Sequence, residues 1–125
     1  MRTISLAILI ALSAASPVGN ANAHGVAKPK HGGLVDIGGE TTFELVRAGK
    51  SVSIFVEDHG KPVDTKGATG ELLLGAETGK RLALLKPFGV NGLAGTAADF
   101  KAGDRLFVRV TFGNGSVEVG EFRAR

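Results

Sequence analysis

"TTFELVRAGKSVSIFVED", residues 41–58, decides the fold. Phe43 and Leu45 fall at alternating positions in its first half, and Val52, Ile54 and Val56 do the same in its second. A period of two is what a half-buried β-strand requires, because successive side chains point to opposite faces of a sheet. Ala48-Gly49-Lys50 between the runs supplies a short glycine-containing turn, so the two read as a β-hairpin.

The same pattern continues outward. Residues 71–75, 80–87, 91–98, 104–112 and 116–124 read as further strands, with Leu34 to Ile37 as a short opening one and Gly113-Asn114-Gly115 as a turn between the last two. Leu72, Leu74, Leu82, Leu84, Leu106, Val108, Val110, Val117 and Val119 are the expected inward residues, although "ELLLG" and "LALL" do not alternate cleanly and leave their faces open. Only residues 94–103 offer room for a helical turn, since the 19 glycines punctuate nearly every other window. About seven to eight short strands at this spacing predict an all-β chain, specifically an immunoglobulin-like Greek-key β-sandwich.

At 125 residues the chain holds one domain. Arg2, the apolar run from Leu6 to Ala15, the Pro17/Gly19 break and Ala21-Asn22-Ala23 read as a cleaved secretory signal over residues 1–23. Cleavage is expected after Ala23, with a cut after Ala21 as the alternative. Residues 24–28 then form a flexible arm and residues 29–125 the domain. The apolar run is too short to span a bilayer comfortably, so no membrane insertion is expected after cleavage, and the expected location is the periplasm.

Composition narrows the chemistry. There is no cysteine, and the sole methionine is Met1, so the mature chain offers neither thiolate nor thioether to a soft ion. Imidazole, carboxylate and amine remain as metal ligands. Net charge is only +3, Arg2 included, with both signs interspersed and no Tyr or Trp for base stacking, which argues against a nucleic-acid partner. No G-x-S-x-G elbow, P-loop or H-E-x-x-H motif occurs, and the chain reads as a non-enzyme.

Three histidines remain: His24, His31 and His59. Cleavage after Ala23 would make His24 the N-terminus, where α-amine and Nδ1 can chelate one ion, an arrangement that favours Cu(II). His31, followed by Gly32 and Gly33, reads either as a second imidazole or as a polar residue entering the first strand; the glycines permit a sharp turn or close backbone approach. His59 ends the strongest strand, beside Asp58 and Glu57. A carboxylate beside an imidazole suits a metal site. It is equally ordinary turn composition, and for Asp58 the turn role is favoured.

"PKHGG" (29–33), "FELV" (43–46), "VEDHGKPVDTKGA" (56–68) and "LKPFGVNGLAG" (85–95) together resemble small periplasmic proteins found alongside bacterial heavy-metal efflux systems, and segments near the N-terminus of some membrane-fusion adaptor subunits of those pumps. The resemblance implies a periplasmic module that binds or carries copper or zinc, Cu(II) being favoured here, with His31, Asp58 and His59 in the metal site and an efflux adaptor as partner. His24 rests on the N-terminal chelation argument alone. A looser similarity, to periplasmic copper-resistance chaperones, rests on that terminus. The alternative expectation is a non-catalytic immunoglobulin-like interaction module that docks on an adaptor without a metal site of its own.

Overall fold

A computed structural model of the chain describes residues 28–36 and 40–125. The expected signal over residues 1–23, most of the arm and His24 lie outside the described residues.

The described residues form nine strands and contain no helix. They are β1 (Leu34–Val35), β2 (Thr41–Ala48), β3 (Ser51–Asp58), β4 (Lys61–Pro62), β5 (Thr69–Leu74), β6 (Lys80–Phe88), β7 (Gly92–Thr96), β8 (Arg105–Thr111) and β9 (Val117–Arg123). Every pairing is antiparallel. The β2–β3 hairpin closes through Gly49 and Lys50, with Phe43 opposite Val56 and Leu45 opposite Ile54. Gly49 has φ 61° at the first central position, where a hairpin turn of type II′ places glycine.

Spatial order runs β1-β2-β3-β7-β6-β5-β8-β9, with β4 on the side of β3. After the β5–β6–β7 meander the chain returns to lay β8 beside β5, which is a Greek-key connection. β6 serves both halves: Lys86, Pro87 and Phe88 pair with β7, while its earlier residues pair with β5. β9 comes back against β1 and β2, so the sheet curls nearly into a barrel.

The enclosed core contains Phe43, Leu45, Val52, Ile54, Val56, Leu72, Leu85, Leu93, Leu106, Val108, Val110 and Phe122. Three expected core residues are corrected. Leu84 is 55% exposed, because the β5–β6 register steps from Leu72–Ala83 to Leu73–Arg81 and leaves Leu82 as an extra, bulged residue. Leu82 and Ala83 are then both buried, and Leu85 takes the inward place. Val117 and Val119 face solvent because β9 turns Gly120, Phe122 and Ala124 inward instead. Leu74 is only partly buried at the core's margin.

A polar substitution on the bulge-defined outer face should therefore be harmless. Leu84→Ser is expected to shift unfolding stability by less than about 0.5 kcal/mol in thermal denaturation. A loss several times larger would place Leu84 in the core after all.

Candidate functional site

His31 is held by a glutamate that should have been a surface residue. Glu44 points to the outer face of β2, yet it is 6% exposed because residues 30–33 fold over it. Its Oε1 accepts the Lys30 N–H at 2.9 Å and lies 3.0 Å from His31 Nδ1. Its Oε2 accepts the His31 N–H at 2.8 Å and the Gly33 N–H at 2.9 Å. Gly32 turns with φ 72°, and a side chain on Gly33 would collide with the Leu45 carbonyl, so the paired glycines do provide both a turn and a close approach.

Burial by itself would push the Glu44 carboxyl up. The hydrogen bonds from His31, Gly33 and Lys30 outweigh it and hold the group below the ordinary glutamate value. A carboxylate beside Nδ1 calls for a proton there, which leaves the lone pair of a neutral imidazole on Nε2. The ring also stacks on Phe55, with centroids 3.7 Å apart and planes 6° from parallel. Beside it, Lys30 Nζ sits 2.9 Å from Glu57 Oε1.

Phe55 lies opposite Glu44 across the β2–β3 ladder and opposite Gly92 on β7, and Gly92 in turn lies opposite Phe88. A Cβ on Gly92 would touch both the Phe55 and Phe88 rings, so the two aromatics lean over a glycine that has no side chain of its own. The His31 shelf is thus the end of a small aromatic row.

His59 occupies a different place. Asp58 pairs with Lys61 across the β3–β4 hairpin, and the two residues between them, His59 and Gly60, have φ 49° and 78°. Two successive left-handed residues are the signature of a type I′ turn. "DHGK" therefore encodes a tight hairpin first. His59 Nδ1 lies 2.6 Å from Asp58 Oδ1, with both side chains well exposed. Asp58 also lines a cleft of about 400 Å³ with Thr41, Asp64, Lys66, Phe112 and Glu118.

The fold thus brings Asp58 and His59 together and gives His31 a separate carboxylate. His31 sits over Phe55, and Phe55 and Asp58 are about 10 Å apart along β3. Among the described residues, no group of three or more His, Asp or Glu side chains is placed to hold a metal ion. Glu44 and Phe55 carry no signal of this role in the sequence, because an alternating strand gives no sign of what covers its outer face. Compared with known proteins, the chain matches no family model, no curated protein and no solved structure.

Proposed function

We propose that the protein is an exported metal-binding or metal-carrier module serving copper or zinc resistance and efflux, with His31 as its anchored ligand. The observation that carries this reading is the His31–Glu44 pair. A carboxylate that accepts a hydrogen bond from Nδ1–H orients the imidazole and directs Nε2 at an incoming ion, as in many metal sites. The Phe55 stack restricts the ring further. Additional donors come from solvent or from the preceding residues, including His24 if the leader is removed after Ala23. Asp58 and His59 would form a second, weaker and more exposed site. The lack of thiolate and thioether favours Cu(II) over Cu(I), and the efflux link rests on the "PKHGG" and "DHGKPV" segments.

Titration of the processed protein with Cu(II) and Zn(II), its N-terminus established by mass spectrometry, tests the proposal. His31→Ala should weaken binding at least about tenfold, an effect of about 1.4 kcal/mol. His59→Asn, chosen because asparagine tolerates the left-handed turn, should change it little. Equal affinity in His31→Ala and the parent would remove His31 from the site.

A second reading has its own support. The Glu44 clasp and the type I′ turn give His31 and His59 complete structural roles, which suits a non-catalytic interaction module docking on an efflux adaptor. Absence of metal binding in the parent protein would favour it. For the fold, we keep the immunoglobulin-like Greek-key sandwich as the finer description of the layering, supported by β6 passing between two paired groups of strands. The pairing of β2 directly with β3 speaks for a different strand order within those layers.

A further inference from the structure

Among the described residues, the two ends of the curled sheet meet without a ladder. β9 bonds to β8 through its even-numbered positions, as the Phe112 N–H to Ser116 carbonyl and Ala124 N–H to Asp104 carbonyl bonds show at either end. The backbone groups of Val117, Val119, Glu121 and Arg123 therefore point the other way, towards β1 and β2. Among the described residues no strand pairing joins β9 to either of them.

Asp36 sits in this seam. It follows β1 directly, is 7% exposed, donates its own N–H to the Phe43 carbonyl at 3.1 Å and accepts the Phe43 N–H on Oδ1 at 2.8 Å. Its Oδ2 abuts β9, since a Cβ on Gly120 would lie 3.1 Å from it. One carboxyl thus sits between β1, β2 and β9 at the line where, among the described residues, no pairing closes the sheet.

Among the described residues no ion pair reaches Asp36. On β2, Glu44 points to the opposite face and into the His31 loop. On β9, Glu121 is engaged by Arg105, Arg123 shares the outward phase of Glu121, and Glu118 opens into the cleft beside Asp58. Residues 37–39, which follow Asp36, are Ile-Gly-Gly and carry no charge.

We propose that the β1–β9 seam is a protonation-controlled closure, held shut when Asp36 is neutral and loosened when it is ionised. Burial pushes the Asp36 carboxyl up to about 6 from an ordinary 3.8, against the opposing effect of backbone hydrogen bonds. The closed seam therefore retains a proton that the open, solvated one releases. The contribution to closure is complete below about pH 4, declines as pH rises and is gone above about pH 6. Loosening parts β9 from Asp36 and exposes its outer edge, which has no ladder partner among the described residues and on which another strand can pair. The inference is independent of the metal reading.

Amide hydrogen exchange by NMR on the full chain, corrected for intrinsic rates, tests it at pH 5 and pH 7.5. Protection at the Asp36 and Phe43 amides should fall roughly tenfold between the two values, as a carboxyl moving between these two pKa values requires, while Val108 in the core keeps its protection. In Asp36→Asn the seam amides should be protected equally at both pH values. An unchanged pH dependence in that variant, or an equal fall at Val108, overturns the proposal. Should Asp36→Asn not fold, the carboxyl carbon shift of Asp36 in the parent decides: a midpoint near 6 that coincides with the exchange transition supports it, and one near 4 overturns it.

Discussion

Gly120→Ala is expected to lower the melting temperature by about 10 °C, corresponding to about 2 kcal/mol of overpacking. Backbone strain plays no part, because Gly120 is not among the glycines with positive φ. The cost is steric. A methyl group on Gly120 would lie 2.6 Å from Phe43 Cδ2 and 3.2 Å from Val108 Cγ1, and both neighbours are fully packed in the core. Phe43 cannot step aside without disturbing Leu45 and Val56, so the ring has to leave its rotamer or β9 has to move outward. The reduced entropy of the unfolded chain returns only part of the loss. Coupling provides the discriminating measurement: Phe43→Leu shortens the side chain that the new methyl strikes, so the double variant should be more stable, by about 1 kcal/mol, than the two single losses added together. Strict additivity in chemical denaturation would show that Phe43 is not what Gly120 accommodates.

The same glycine explains why β9 turns inward the face opposite to its two valines. In "SVEVGEFRA" the odd positions hold two valines and the even ones hold glycine, phenylalanine and alanine, so periodicity alone gives each face a comparable claim. Tertiary packing decides, because Phe43 fills the space above Gly120 and Phe122 completes the core beside Leu106. "KRLALLKP" fails for another reason: the bulge at Leu82 inserts one residue and inverts the phase of everything after it. By contrast, in "SVSIFVED" the three-residue phase of Val52, Ile54 and Val56 outweighs the lone Phe55 on the other face, no bulge interrupts it, and the strand runs from Ser51 to Asp58 as the alternation predicts.

β4 escaped because two residues, Lys61 and Pro62, have no period to detect. Residues 94–103, the one window with room for a helical turn, instead continue β7 to Thr96, in line with the strand read over 91–98, and then turn through Lys101 and Asp104. The neighbourhood of His59 was partly legible, since Asp58 and Gly60 mark a turn. That of His31 was not, because its partner Glu44 lies 13 residues away and reads as a solvent-facing strand residue. The segments "PKHGG" and "DHGK" have conformational work to do here whether or not they bind an ion.

Glu44→Ala is expected to detach residues 30–33 and to cost about 2–3 kcal/mol of stability. Three backbone N–H groups and one imidazole nitrogen lose a charged acceptor at once, and each such bond is worth about 1.5–3 kcal/mol. The full sum is not lost, because the released segment swings into water and its amides rehydrate. Local detachment is less costly than leaving buried donors unpaired. The amides of Lys30, His31 and Gly33 should therefore lose their exchange protection, and NMR contacts between the His31 and Phe55 rings should vanish, while β5 and β8 remain unchanged. Acid should reproduce this in the parent protein. Because the folded Glu44 carboxyl lies below its ordinary 4.5, its contribution is present above that value and is lost as pH falls through the lower folded one. Glu44→Ala should abolish that acid transition at residues 30–33. Metal binding separates the two functional readings at this residue. If His31 Nε2 is a ligand, removing the carboxylate that orients its ring should weaken Cu(II) binding by about 10–100-fold, the usual effect of losing such a partner. If the histidine serves only to pin the segment to the sheet, the variant should lose its docked loop and show no change in metal affinity.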